Sequence, residues 1–126
     1  MSYPYQNNST GDFFPIIDLF ASHKDRAVRV FALIDSGATI SIFREDVADQ
    51  LGLVVEKGNE IYLGGVGGRI KGYIHELNIE ISGKKFLCPV VFSHEYTVSF
   101  SLLGRKIFFE NFKITFEEKR RQLKLG

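Results

Sequence analysis

The apolar residues of this chain recur mainly with the two-residue period of β-strands. Between positions 77 and 82, Leu, Ile and Ile alternate with Asn, Glu and Ser, which is typical of a strand with one buried face. Apolar segments between turn-forming residues predict further strands at 14–21, 27–34, 40–42, 61–63, 70–73 and 86–92, and a final hairpin within 113–125, while 99–103 is a further apolar segment. The pattern therefore predicts a mostly β chain with about eight or nine short strands.

Two segments follow the helical period instead. In Arg44–Leu51 the apolar positions 47, 48 and 51 share one helical face, acidic residues occupy the first turn, and Gly52 follows as a stop. Arg105–Asn111 is a second candidate for a short helix. Pro89 indicates an edge or a bulge in its strand. The polar residues 1–12 predict a flexible tail, which leaves 13–126 as one domain.

Composition fits one globular domain. The chain has 126 residues, of which 44% are apolar, and a net charge of +1, so wholesale disorder is excluded. Near-zero charge provides no attraction to nucleic acid or to anionic membranes, and we expect neither as a partner. Lys119-Arg120-Arg121 is better interpreted as a charged turn.

The N-terminal sequence, the lack of long apolar runs and the single cysteine predict a cytoplasmic protein. The N-terminus lacks a basic region followed by an apolar stretch, and no apolar run approaches the length of a transmembrane helix. Cys88 is the only cysteine, so an intrachain disulfide is excluded, and we expect it to be buried. The three histidines lack partners at metal-ligand spacing, so we expect neither a metal nor a cofactor.

The triplet Asp35-Ser36-Gly37 is the candidate for chemistry. It directly follows the predicted strand 27–34 and precedes Ala38 and Thr39. These are ordinary turn residues, and by itself the triplet is more often a turn than a catalytic site. A single carboxylate would also be insufficient for hydrolysis by a carboxylate pair.

A glycine-rich segment, Gly64-Gly65-Val66-Gly67-Gly68, lies between two predicted strands. A phosphate-binding loop would require a Lys and a hydroxyl residue at the start of a helix, whereas Arg69-Ile70 begins a strand. The segment is therefore interpreted as the tip of a hairpin.

Three segments together resemble the retropepsins, the single-domain aspartic proteases of retroviruses and retroelements, which have free-standing cellular and prokaryotic relatives. The segments are Ala32–Ala38, Leu63–Lys71 and Leu102-Leu103-Gly104-Arg105, in the family's order. Each is weak alone, but all three at the family's spacing are specific. The resemblance implies a closed, barrel-like half of an acid-protease fold with a flap hairpin and two short helices.

The resemblance implies an aspartic endopeptidase in which Asp35 is catalytic. Two carboxylates that share one proton activate a water and polarise the peptide carbonyl, so a second Asp35 must come from another chain and the protein must be a homodimer. Ser36 would support the active-site loop, either across the dimer or as a local turn cap. Gly37 would allow close approach of the backbone.

The resemblance also implies where a peptide or protein substrate binds. Gly64, Gly65, Val66, Gly67 and Gly68 would form the flap, with Val66 as its apolar tip. The expected substrate-binding residues line a mostly apolar groove; they are Leu33, Ala38, Thr39, Ile40, Ile42, Val66, Phe100 and Leu102. For Leu33 and Leu102 a plain core position is equally plausible. Gly104 and Arg105 would be structural.

Some positions depart from the retroviral pattern. Thr39 stands where those enzymes often have an acid that pairs with the Arg of the Gly-Arg motif, so a buried Arg105 would need another partner. The hairpin within 113–125 exceeds the single terminal strand of viral enzymes and is a candidate dimer interface. These departures leave open a peptide-binding or dimerisation module with little turnover. A protease released from a retroelement polyprotein is a third reading.

Overall fold

The computed structural model describes residues 1–65 and 67–126. Its strands are β1 (Ser2–Pro4), β2 (Gln6–Asn7), β3 (Phe13–Phe14), β4 (Ile16–His23), β5 (Arg26–Ile34), β6 (Ser41–Ile42), β7 (Asn59–Gly65), β8 (Gly68–Ile81), β9 (Lys84–Phe92), β10 (Ser101–Leu103), β11 (Ile114–Glu117) and β12 (Gln122–Leu125). The helices are α1 (Glu45–Gln50) and α2 (Phe108–Asn111), with single 3₁₀ turns at Val55–Lys57 and Glu118–Arg120.

Six strands close into a barrel. Their order is β4-β5-β10-β6-β9-β8, and β8 pairs back onto β4. Closure gives each of these six strands a neighbour on both sides, although some pairings cover only two or three residues. β7 lies outside the ring and pairs only with β8, to which it is joined as a hairpin. The mostly β, barrel-like architecture predicted from the sequence is confirmed.

The predicted alternation along β8 is present in the structure. Leu77, Ile79 and Ile81 are buried, with at most 1% of their surface exposed, while the intervening residues face outward. The same alternation buries Ile17 and Leu19 of β4. Because neighbouring strands place these residues on one face, the barrel interior is the hydrophobic core.

The first predicted helix is confirmed and the second is shortened. Val47 and Ala48 of α1 are buried, and Gly52, with φ of +70°, ends the helix. The expected helix at 105–111 covers only Phe108–Asn111. Ile107 has φ of +67°, and Phe108 N–H donates to the Lys106 carbonyl at 2.8 Å. This γ-turn is incompatible with helical backbone at Ile107.

Pro89 does not mark a bulge. β8 and β9 pair in unbroken register, with Pro89 opposite Glu76. On its other side β9 meets β6 only at Val90 and Val91. Pro89 is thus next to an unpaired side of its strand, where a missing N–H is tolerated.

The expectation of a flexible tail differs from the structure at residues 2–7. β1 pairs with β12, and Tyr5 is buried, with its hydroxyl donating to Glu118 Oε1 at 2.9 Å. Burial, followed by the Glu118 contact, raises the pKa of Tyr5 to about 12. The polar composition of residues 1–12 gave no indication that Tyr5 would be buried. The predicted C-terminal hairpin is present as β11–β12, so the terminal sheet has the order β1-β12-β11.

Within the described parts of the chain, no helix is long and apolar enough to cross a membrane. Cys88 is buried, as expected, and burial raises the pKa of its thiol to about 12.

Candidate active site

Asp35 lies directly after β5, in a loop that orients its carboxylate. Its backbone N–H donates to the Leu103 carbonyl at 3.0 Å, and its own carbonyl accepts from Ala38 N–H at 3.2 Å. The Gly37 N–H donates to Asp35 Oδ1 at 2.9 Å. One backbone N–H therefore bonds the half-buried carboxylate, while two backbone hydrogen bonds fix the loop that carries it.

Glycine at position 37 avoids a close contact between a side chain and the Asp35 carboxylate. A Cβ at this position would lie 3.3 Å from Asp35 Oδ1, closer than an ordinary van der Waals contact. Glycine thus allows the loop to wrap around the carboxylate. Ser36 is exposed, and its hydroxyl makes no hydrogen bond within residues 1–65 and 67–126.

The Leu-Leu-Gly-Arg motif packs against this loop. β10 runs parallel to β5, with Leu102 opposite Leu33. Beyond the strand, Arg105 N–H donates to the Ala38 carbonyl and Lys106 N–H to the Thr39 carbonyl, both at 2.9 Å. The parallel pairing therefore brings together two motifs that are distant in sequence.

Gly104 is required where the two segments meet. A Cβ there would lie 2.5 Å from the carbonyl carbon and oxygen of Ile40, and 2.9 Å from the Ala38 oxygen. These are backbone atoms, so the conflict could not be relieved by rotating a side chain. The Gly104 N–H donates to the buried Ser41 hydroxyl at 3.0 Å, which links this junction to β6.

The β7–β8 hairpin lines one side of a solvent-open cavity of about 280 Å³. Its lining consists of the half-buried apolar residues of the hairpin and β6, four glycines and one tyrosine: Ile42, Leu63, Gly64, Gly65, Gly67, Gly68, Ile70 and Tyr96. Gly68 has φ of +111°, which favours glycine. Val66 lies outside the described residues, so its predicted place at the tip stays a prediction.

The expected groove residues occupy different surroundings. Leu33, Leu102 and Ile42 are half-buried and in register across β5, β10 and β6. Ile40, in contrast, is only 7% exposed and counts as core in the single chain. Phe100 packs against Phe14, with ring centroids 6.4 Å apart.

The loop after Asp35 meets the segment after β10 at three expected site residues, Ala38, Thr39 and Arg105. Ala38 is half-buried and Thr39 is exposed. Arg105 is also exposed rather than buried, and its side chain has no ion pair within the described chain. The burial for which a partner of Arg105 was expected is therefore not present in the single chain, where the backbone N–H of Arg105 is bonded to Ala38.

Tyr96 is a site residue that sequence reasoning missed. Its side chain lines the cavity under the hairpin, and its hydroxyl donates to the Phe100 carbonyl at 2.7 Å. Burial, and then the negative charge of Asp35, raise its pKa to about 12. Tyr96 therefore stands near both the cavity and the carboxylate. A lone tyrosine in a polar loop gave no signal of this position.

The loop that carries Tyr96 is tied to its neighbours on two sides. Glu95 Oε2 accepts from Lys71 N–H of β8 at 2.8 Å. His94 contacts Glu45 of α1 through Nδ1 and Glu56 of the first 3₁₀ turn through Nε2. Hydrogen bonds that His94 donates to these carboxylates, the one to Glu56 first, raise the pKa of His94, and His94 in turn lowers the pKa of Glu56.

The described residues contain no cluster of possible metal ligands. Among residues 1–65 and 67–126, no group of three His, Cys, Asp or Glu side chains is arranged to hold a metal ion.

Comparison with known proteins identifies the class. The chain matches the family described as Aspartyl protease over residues 22–106, more than half of its length, and it belongs to that family. A search of curated proteins gives no significant match.

Solved structures agree on the fold. A retropepsin-like aspartic protease from Rickettsia conorii has a TM-score of 0.68 at 20% identity, covering 99% of this chain and 89% of that one. EIAV protease, solved in complex with the inhibitor HBY-793, has a TM-score of 0.61 at 19% identity, covering 77% of this chain and 86% of that one. The fold is therefore retropepsin-like.

Replacing Gly104 by alanine should destabilise the protein. The added Cβ would overlap backbone atoms of Ile40, so we expect the free energy of unfolding to fall by about 2–4 kcal/mol. Gly64→Ala is the matched control, because a Cβ at Gly64 has no atom within 4 Å. Urea denaturation monitored by circular dichroism measures both. Equal midpoints for the two variants would contradict the packing described here.

The His94 contacts should stabilise the fold only in acid. Because the pKa of His94 is raised in the folded protein, its contribution to stability is full below about pH 6.5 and is lost as the pH rises through the folded pKa. Because the pKa of Glu56 is lowered, its contribution is full above about pH 4.3. Melting temperatures of the parent and His94→Gln should thus differ most near pH 5–6 and converge by pH 9. His23→Gln is a control outside the contact. A constant difference from pH 5 to 9 would argue against the ion pairs.

Proposed function

We propose that this protein is an aspartic endopeptidase that is active as a homodimer and uses Asp35 from each chain. The observation that carries the proposal is the Asp35 carboxylate held by the Gly37 N–H, in a loop joined by backbone hydrogen bonds to the Leu-Leu-Gly-Arg segment. Membership of the aspartyl protease family supports the reaction class. The retropepsin-like fold of the single chain supports a paired active site.

The chemistry requires two carboxylates with different protonation. At ~3 Å separation two like charges cannot both ionise at modest cost, so the pair shares one proton. The ionised carboxylate takes a proton from water, and the protonated one donates to the carbonyl oxygen of the scissile bond. Because this chain supplies one such aspartate, a two-fold axis near Asp35 would complete the site.

The terminal sheet offers a surface for the second chain. β12 already has neighbours on both sides, β1 and β11, and among residues 1–65 and 67–126 no other strand pairs with the outer edges of β1 and β11. β1 contains Pro4, which blunts that edge. Phe116 of β11 is 39% exposed. We therefore favour the edge of β11 for the contact between subunits.

Substrate would bind as an extended strand beneath the glycine-rich hairpin. Ile42, Leu63 and Ile70 give the cavity an apolar lining, which favours apolar side chains around the scissile bond. The hairpin would act as a flap that closes over the peptide and excludes bulk water. Its glycines leave open space around the backbone at positions 64, 65 and 67.

A second candidate function is peptide binding with little turnover. Thr39 is exposed and uncharged where many retroviral members have an acid, so the substrate backbone would have one fewer anchor. A protein that binds apolar peptides without cleaving them from acidic to neutral pH would support this candidate.

Asp35→Asn should abolish cleavage while the fold and the dimer persist. Amide and carboxylate have nearly the same shape, but an amide neither takes a proton from water nor shares one with its partner. We expect peptide-library cleavage to drop by at least about 10³-fold, with an unchanged melting temperature within a few degrees. Asp49→Asn, at an exposed position of α1, is the matched control.

The assay is run at several protein concentrations, with and without an aspartic-protease inhibitor. An active dimer predicts that activity falls faster than linearly on dilution. If Asp35→Asn cleaves peptides at the parental rate, the proposed role of Asp35 is wrong.

A further inference from the structure

A second cavity of about 520 Å³ lies beside the active-site loop and is lined by Thr39, Arg105, Lys106, Phe109 and Glu110. We propose that it is a subsite for an acidic side chain, Glu or Asp, of the peptide substrate. This inference rests on the proposed endopeptidase function and adds a charge preference to it. The apolar cavity beneath the hairpin would not confer such a preference.

The cavity carries unpaired positive charge. Arg105 and Lys106 are both exposed, and neither side chain forms an ion pair within residues 1–65 and 67–126. Glu110 is the one acid in the lining, and its Oε2 accepts from Ile107 N–H at 2.8 Å. The lining thus holds two cations and one acid whose carboxylate is bonded to the backbone, and a substrate carboxylate would gain from both cations.

The shape also fits a side chain with apolar and charged parts. Phe109 is half-buried and supplies an apolar surface for methylene groups. Lys106, at the start of the γ-turn at Ile107, lines the same pocket as Phe109, so charge and ring are offered by one short segment. Glutamate, with one methylene more than aspartate, would reach both features.

The cavity lies within reach of a peptide bound at Asp35. Lys106 N–H is fixed to the Thr39 carbonyl at 2.9 Å, and Thr39 is four residues from Asp35. At about 3.3 Å per extended residue, the chain from Asp35 to Thr39 spans at most ~13 Å, which is the length of about three or four substrate residues. In a symmetric dimer each subunit contributes one such cavity, so the preference should occur on both sides of the scissile bond.

The test compares peptides with the same apolar centre and Glu, Gln or Lys at the third or fourth position on either side. We expect kcat/KM for Glu to exceed that for Gln by about three- to fivefold at low salt and to approach it at 1 M NaCl. Lys106→Gln should reduce this ratio towards one, and Lys106→Glu should invert it in favour of Lys. Lys106 is exposed, so both variants should fold.

Lys24→Gln is the matched control, since it removes the same charge from an exposed turn at the far end of β5. It should leave the Glu/Gln ratio unchanged. Binding of labelled peptides to the Asp35→Asn protein, measured by fluorescence anisotropy, tests the same preference without turnover. If the parental protein cleaves none of the peptides but the protein still binds the Glu peptide more tightly than the Gln peptide, the proposed activity is refuted and the proposed subsite is retained.

Equal kcat/KM and equal binding for the Glu and Gln peptides would overturn the proposal. So would an equal reduction of the ratio by Lys24→Gln and Lys106→Gln, because the effect would then come from net charge. If Lys106→Glu instead changes the concentration dependence of activity with no effect on the ratio, an acid of the partner subunit occupies the cavity and the substrate assignment is wrong.

Discussion

The close contact between Gly104 and the backbone at Ile40 is the constraint on which the site depends. Parallel pairing of β10 with β5 brings the segment after Leu103 against the loop after Ile34, and hydrogen bonds from Asp35, Arg105 and Lys106 then join the two segments. A side chain at position 104 would separate them. The position of the loop that carries Asp35 therefore follows from backbone packing that requires glycine at position 104.

The remaining site is arranged around this rigid junction. On one side, the β7–β8 hairpin extends from the barrel with space around its glycines, and the loop of Tyr96 joins it to α1 through His94 and Lys71. On the other side, Arg105 and Lys106 project into solvent from segments whose backbone is fixed. A loop fixed by backbone contacts and open flanking surfaces together are what the proposed peptidase function requires.

Much of the fold could be predicted from the sequence because its signals are local. The alternation in β8 and the Gly52 stop of α1 depend on residues close together in the chain. The resemblance of three motifs predicted which distant segments meet at Asp35. Tyr96, the β1–β12 pairing and the exposure of Arg105 could not be predicted, because each depends on tertiary contacts between segments whose own sequence is polar or ambiguous. The γ-turn at Ile107 was missed because β-branched residues rarely have positive φ.

The central claim is that Asp35 acts only as one of a pair, and a mixing experiment tests it most directly. Parental chains and Asp35→Asn chains are combined, allowed to exchange, and assayed at constant total concentration. Random pairing predicts that activity varies with the square of the parental fraction, so an equal mixture retains roughly one quarter of the parental activity. A linear dependence, with about half the activity in the equal mixture, would show that each chain works alone and would contradict the account.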